Sequence, residues 1–206
     1  TVVSLSGDLL AVGAKDGDNS DGGINHATDG WINGNWNHSS ILDNSLSETG
    51  SVYIFKRTGT SWAQEAYITA NNMSANDQFG QNLILDNDTL VVRAIYEDSN
   101  QRTISSGTNT SHDNSNSNSG AIYVYRRTGT SWAQEAYIKP SNNFGYDPET
   151  NSLSYRGDYG NALALEGDTL IVAASGEDSN QTTITNGTSS SSHATLINSA
   201  QGAVYV

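Results

Sequence analysis

The chain lacks several features that would assign it to a common class. It has no cysteine, so neither a disulfide nor a thiolate metal site contributes to the fold. It has no run of about 18 apolar residues, so we expect no membrane-spanning segment, and no signal peptide is visible. Nine Lys and Arg stand against 22 Asp and Glu, a formal net charge of −13. Such a chain repels phosphate groups, so we expect no nucleic-acid or anionic membrane partner, whereas cations suit it.

One ten-residue stretch occurs twice, letter for letter. GTSWAQEAYI stands at Gly59–Ile68 and again at Gly129–Ile138. The segments before it are also similar, SVYIFKRT at Ser51–Thr58 and AIYVYRRT at Ala121–Thr128, and a third such segment begins at Gly202. Internal repeats decide the architecture before any other pattern does. We therefore expect three units, at residues 1–70, 71–140 and 141–206.

Each unit begins with two short apolar runs around a turn. The turns are Ser6-Gly7-Asp8, Asp86-Asn87-Asp88 and Glu166-Gly167-Asp168. Gly and Asn accept the positive φ of tight hairpin turns, so the pattern predicts a β-hairpin. A long polar loop follows, and then a second hairpin.

The second hairpin is predicted to have one covered strand and one exposed strand. In Ser51–Thr58, aliphatic and aromatic residues alternate, so both faces of that strand should be covered. The next strand carries Gln64 and Glu65 and is therefore predicted to be a more exposed outer edge.

Four antiparallel strands in each unit, repeated in tandem, predict the blades of a β-propeller. The fold class is therefore all-β, with about two and three-quarter blades, because the fourth strand of the third unit is missing. Such a ring is incomplete, and we expect other residues or other copies of the chain to complete it. A β-solenoid is the alternative, although its coils are usually shorter and lack paired tight hairpins. We expect the chain to be a segment of a longer protein, because it begins and ends inside predicted strands.

Several short motifs recur in register. They are Phe79-Gly80 and Tyr159-Gly160 before the first strand, the hairpin pattern L-x-G-D-x-L, and Gly-Ala-Val/Ile-Tyr-Val at the third strand. Together they resemble the FG-GAP repeats of bacterial surface proteins, which are related to the propeller of integrin α subunits. The resemblance implies an extracellular or cell-surface adhesion module that binds protein or glycan. Gly13-Ala14, at the end of the second apolar run, stands where the family has Gly-Ala-Pro. The chain departs from the family in two ways: the residues after this position are Lys15, Ile95 and Ser175 instead of Pro, and the first hairpin is too short for the integrin calcium loop.

The long loops are rich in oxygen-bearing side chains, which suit Ca²⁺. Asp18, Asp98 and Asp178 occupy equivalent places after the second strand, and Asp43 and Asp113 lie seven residues before the Gly that opens the third strand. Each loop is thus predicted to close around one ion held between its two ends. The third loop has Thr195 where the others have Asp, so its site would be weaker. The alternative is that these residues are solvated and form Asx-turns.

Aromatic and histidine residues give a second set of candidates. Trp31 and Trp36 lie in a Gly/Asn-rich loop and could stack on sugar rings or on a partner side chain, or else pack on a neighbouring blade. Trp62 and Trp132 recur at one place in two units, which favours scaffold packing. The four histidines lie at non-equivalent loop positions and are interpreted as solvated.

No catalytic motif is present, so we expect no enzyme. Two further functions stay open beside adhesion: a structural subunit that assembles into a fibre or surface layer through open strand edges, and a polysaccharide-acting enzyme.

Overall fold

The structure is a computed structural model. It describes residues 1–20, 22–26, 45–143, 158–177 and 202–206 in full, and the backbone of 31–32 and 35–36. The described residues form strands and no helix. The strands are β1 Val2–Ser6, β2 Leu9–Ala14, β3 Gly23–His26, β4 Trp31–Ile32, β5 Asn35–Trp36, β6 Ser51–Thr58, β7 Ser61–Thr69, β8 Phe79–Asp86, β9 Thr89–Ala94, β10 Ile104–Ser106, β11 Ala121–Thr128, β12 Ser131–Ile138, β13 Tyr159–Glu166, β14 Thr169–Ala174 and β15 Ala203–Tyr205.

The strands form three tandem antiparallel sheets and one small hairpin. Sheet 1 has the order β1-β2-β6-β7-β3, and sheet 2 has the equivalent order β8-β9-β11-β12-β10. Sheet 3 contains β13-β14-β15, and β4 pairs with β5. The prediction of an all-β fold built from tandem antiparallel sheets is confirmed, and the described sheets do not close into a ring.

Sheets 1 and 2 have a fifth strand that the sequence did not predict. The long loop after the second strand folds back, and part of it pairs with the fourth strand, as β3 on β7 and as β10 on β12. The prediction that the fourth strand is an exposed outer edge is therefore wrong. From Glu65 to Thr69, β7 is buried, because β3 pairs with its edge and its apolar side chains join the core shared with sheet 2.

The tight hairpin turns match their predicted chemistry. Gly7, Asn87 and Gly167 have positive φ angles of 56°, 51° and 57° and each opens a two-residue turn. The second hairpins turn at Gly59 and Gly129, which also have positive φ. Local turn chemistry thus determines where each meander reverses.

Apolar side chains between the sheets form a core that continues from one sheet to the next. Strand β8 lies against β1 and β2 of sheet 1, and β13 lies against β8. One cluster joins sheets 1 and 2, and a second joins sheets 2 and 3. Sheet 2 therefore contacts a neighbour on each of its two faces, as the alternation in β11 predicted.

The Phe79-Gly80 pair lies at the junction of sheets 1 and 2. The Phe79 backbone N–H donates to Thr49 O at 2.9 Å, and Phe79 forms a parallel bridge with Gly50. Gly50 has a φ of 84°, and a Cβ there would lie 2.1 Å from Phe79 O. The two backbones approach so closely that only glycine fits.

Candidate functional site

The long loops of sheets 1 and 2 are closed by the same pair of contacts. Asp18 Oδ1 accepts the backbone N–H of Glu48 at 2.7 Å, and Asp98 Oδ1 accepts that of Asn118 at 2.6 Å. Glu48 and Asn118 both have positive φ. Each aspartate therefore ties the start of its loop to the end of the same loop. Glu48 and Asn118 lie two residues before Gly50 and Gly120, the glycines that precede β6 and β11.

Among the described residues, the structure does not bring a second predicted calcium ligand into contact with Asp18 or Asp98. Asp113 is exposed, and its carboxylate accepts the N–H and the hydroxyl of Ser115, both at 3.0 Å, as in an Asx-turn. Asp43 and Asp178 lie outside the described residues. Within the described ranges, no group of three or more His, Cys, Asp or Glu side chains forms a metal site.

Asp98 has one carboxylate oxygen that its contact with Asn118 leaves unused. Burial raises the pKa of Asp98 above its ordinary value. Its Oδ2 accepts no hydrogen bond from the described residues. Ca²⁺ takes six to eight oxygen ligands, so an ion at Asp98 would need backbone and amide oxygens for most of them.

Trp31 and Trp36 lie opposite each other in a two-stranded hairpin. The register pairs Trp31 with Trp36 and Ile32 with Asn35. The predicted loop thus contains a short ordered ribbon. Its binding role stays a prediction, since the side chains lie outside the described residues.

A salt bridge that joins sheets 1 and 2 was not predicted. Arg127 donates to both Glu65 oxygens at 2.7 Å, and Trp132 Nε1 donates to Glu65 Oε1 at 3.0 Å. We call these three residues the Glu65 clasp. A β-bulge at Glu65 interrupts the β6–β7 register, as one at Glu135 does in sheet 2.

The two repeated tryptophans have different surroundings. Trp132 is 3% exposed, whereas Trp62 is 44% exposed. The Arg57 guanidinium lies over the Trp62 ring, with Cζ 5.7 Å from the ring centroid. The Trp132 backbone N–H also donates to Nε2 of His26 at 2.8 Å. His26 is therefore an inter-sheet contact, and the interpretation of it as a solvated loop residue is wrong.

A buried polar cluster lies where the chain passes from sheet 1 to sheet 2. Glu97, 2% exposed at its side chain, accepts from Lys139 Nζ at 2.6 Å, Asn72 Nδ2 at 2.9 Å and Tyr137 Oη at 2.8 Å. Tyr123 Oη donates to Asn72 Oδ1 at 2.8 Å. We call these five residues the Glu97 network.

Part of the Glu97 network recurs between sheets 2 and 3. Asn142 donates to Glu177 at 2.6 Å, and Tyr205 donates to Asn142 at 2.6 Å. These residues are the repeat equivalents of Asn72, Glu97 and Tyr123. Their recurrence at equivalent positions is a signal for this cluster that the sequence already contains.

Asp77 is a buried carboxyl group beside this network. Ser74 N–H donates to its Oδ2 at 2.7 Å, and its Oδ1 has no partner among the described residues. Burial raises the pKa of Asp77 to about 8, and the charges of Glu97 and Asp98 contribute further. Asp77 is therefore largely neutral at pH 7.

An open cavity lies between sheets 2 and 3. Its volume is about 300 Å³, and its lining includes Ile104, Ile138, Leu170 and Tyr205 together with Asp168 at the edge. In the preceding junction, Trp132 and Tyr137 of the fourth strand of sheet 2 belong to the buried core. The cavity is thus the place where sheet 3 has no described fourth strand.

Comparison with known protein families gives a match in the middle of the chain. Residues 62–125 match the family described as FG-GAP repeat. The match runs from the fourth strand of sheet 1 to the third strand of sheet 2. No curated protein and no solved structure matches the chain. In the described residues, no helix is long and apolar enough to cross a membrane.

Proposed function

The chain is an FG-GAP repeat protein of the propeller type, and on this premise we propose that it is a non-catalytic binding module. It acts outside the cell, on the surface or secreted, and it holds a protein or glycan ligand. The observation that carries this proposal is the shared closure of the long loops by Asp18 and Asp98. A rigid scaffold that presents tied, polar loops at equivalent places is a common arrangement for recognition.

Trp31 and Trp36 are the proposed ligand contacts. They are register partners in a two-stranded ribbon within the longest of these loops, and aromatic rings stack on sugars and on apolar side chains. A glycan array and a panel of extracellular-matrix proteins would be probed with the chain and with Trp31→Ala and Trp36→Ala. We expect the ligand signal to fall in both variants and to persist in the control, Trp62→Ala, which lies in the β6–β7 hairpin. Equal loss in all three variants would contradict the assignment.

Calcium is proposed to rigidify the loops, with Asp18 and Asp98 as the carboxylates that bind it. An ion that binds only the folded chain stabilises it by RT ln(1 + [L]/Kd), about 2.7 kcal/mol at a hundredfold excess over Kd. Thermal unfolding with Ca²⁺ and with excess chelator would measure this shift. We expect Asp98→Asn to reduce it and Asp16→Asn, on an exposed turn, to leave it unchanged. An identical melting temperature in Ca²⁺ and in chelator would reject the ion, and the aspartates would then act through their hydrogen bonds alone.

A second candidate function is assembly of copies into a fibre or surface layer. Val3 and Leu5 on β1 are 63% exposed, whereas their repeat equivalents Leu83 and Leu85 are 5% exposed in the junction of sheets 1 and 2. At the other end Val204 is 65% exposed. Sedimentation at several protein concentrations would detect assembly, and Leu5→Glu would abolish it. A single species at all concentrations would leave only the binding module.

A further inference from the structure

The Glu97 network contains a buried amine. Lys139 is 0% exposed at its side chain, and Nζ donates to Glu97 Oε2 and to Ser119 Oγ, both at 2.6 Å. Burial lowers the pKa of Lys139, which favours the neutral amine. A neutral, desolvated lysine amine is a nucleophile.

A carboxamide is held on the other oxygen of the same carboxylate. Asn72 Nδ2 donates to Glu97 Oε1 at 2.9 Å and to Ser111 O at 2.7 Å. Tyr123 Oη donates to Asn72 Oδ1 at 2.8 Å. Glu97 therefore contacts both the amine and the NH₂ group of the carboxamide, while a phenol donates to the carboxamide oxygen.

We propose that Lys139 and Asn72 form an intramolecular isopeptide bond. These groups have the parts that acyl transfer requires: a nucleophile, a carboxylate that moves protons, and a donor for the developing oxyanion. The proposal does not depend on the ligand-binding function proposed above.

The bond forms without an external reagent. Glu97 accepts a proton from Nζ, and the freed lone pair attacks Cγ of Asn72. Tyr123 stabilises the negative charge that develops on Oδ1. Glu97 then returns the proton to the Nδ2 group, the Cγ–Nδ2 bond breaks, and ammonia leaves. Glu97 carries a second proton from the newly linked Nζ to this ammonia, which departs as ammonium. The ammonium of Lys139 and the amide of Asn72 thus become a secondary amide and ammonium, and Glu97 ends as a carboxylate.

The chain contains its own internal comparison. Asn142 is held by Glu177 and Tyr205 in the same way. The sequence has only three lysines, Lys15, Lys56 and Lys139. Lys15 pairs with Asp16 and Lys56 lies on β6, so no lysine is placed to attack Asn142. Only the junction of sheets 1 and 2 therefore forms the bond.

Intact-mass spectrometry of the purified 206-residue chain tests the proposal. We expect a mass about 17 Da below that of the sequence, because one ammonia is lost. Digestion after Lys and Arg should give fragments 58–93 and 128–156 joined as one species, since Pro140 prevents cleavage after Lys139. Lys139→Arg and Glu97→Gln should each restore the full mass. The control Lys15→Arg should keep the loss.

Three results would overturn the proposal. The first is a wild-type chain with the full mass and separate fragments. The second is a loss of about 17 Da that persists in Lys139→Arg, because cyclisation of Asn72 on its own backbone also releases ammonia. The third is a loss of about 18 Da with Glu97 in the linked species, which would mean that the amine had condensed with the carboxylate instead. The first and third tests use the wild-type chain, so they hold even if a variant fails to fold.

Discussion

Replacing Glu65 by Gln should destabilise the chain far more than the same change at Glu135. The two residues occupy equivalent places in the repeated stretch. Glu65 is 7% exposed and accepts three hydrogen bonds from Arg127 and Trp132. Glu135 is 49% exposed and pairs with Arg126, which is 43% exposed. Since the local sequence is the same, any difference in stability between the two variants comes from the burial of the glutamate and from its partners.

The expected magnitude follows from these contacts. Hydrogen bonds to a charged group contribute about 1.5–3 kcal/mol, and removal of one partner from a buried pair costs about 3–5 kcal/mol. Arg127 keeps a second carboxylate, Asp88, at 3.2 Å, which reduces the cost. We expect a loss of about 2–3 kcal/mol for Glu65→Gln, against about 0–1 kcal/mol for Glu135→Gln.

Thermal unfolding followed by tryptophan fluorescence would measure the difference. In a chain of this size each kcal/mol lowers Tm by about 2–4 °C, so Glu65→Gln should lower it by about 4–12 °C. A double-mutant cycle with Arg127→Met should give a coupling energy well above about 0.5 kcal/mol. Equal shifts for the two glutamines, or additive effects in the cycle, would show that the Glu65 clasp does not hold the sheets together.

Three further predictions follow from the described contacts. Gly50→Ala should destabilise the chain by more than about 3 kcal/mol, because the added Cβ would meet Phe79 O. Gly59→Ala, at a residue that also has positive φ but open space around it, should cost about 1 kcal/mol. Urea unfolding would compare the two variants, and equal costs would contradict the close approach at Gly50. Asp77 has a pKa raised to about 8 from an ordinary value of 3.8, so it contributes stability that is fully present below about pH 4 and is lost as the pH rises through about 8. Over this pH range the melting temperature should therefore fall less steeply in Asp77→Asn than in the wild-type chain. Parallel curves of melting temperature against pH would refute the assignment. Asn118→Gly should change the free energy of unfolding by no more than about 0.5 kcal/mol, because residue 118 has a φ of 58° and glycine keeps the backbone N–H that donates to Asp98. A larger loss of stability in a thermal melt would show that the Asn118 side chain contributes.

Local chemistry in the sequence was sufficient to predict the hairpins. Gly7, Asn87 and Gly167 adopt positive φ, and the strands around them pair as expected. Such turns depend on neighbouring residues alone, so one sequence reveals them. Because the sequence repeats, the same turn is predicted in all three units.

The fifth strands could not be predicted in the same way. Gly23–His26 and Ile104–Ser106 are short and carry no alternation that distinguishes them from a loop. They become strands because β7 and β12 offer them unpaired edges. Their structure is determined by a partner distant in the sequence.

The buried polar groups were missed for a related reason. Glu65 appeared to be a surface residue, because its partner Arg127 lies in the next repeat. Lys139 has Thr69 as its equivalent in the first repeat, so the repeat pattern gave no sign of it. The predicted site consists of loop carboxylates, whereas the buried polar contacts of Glu65 and Glu97 lie between sheets.

The Glu65 clasp takes Glu65 from the first copy of the ten-residue stretch and Trp132 from the second. Each copy, with the Arg that precedes it, carries both halves of a contact: Arg and Trp for the sheet before it, and Glu for the sheet after it. A duplicated unit would therefore meet compatible neighbours on both sides as soon as it arose. A chain built in this way could therefore gain or lose a whole unit and keep the contact, because every copy brings the same Arg, Trp and Glu.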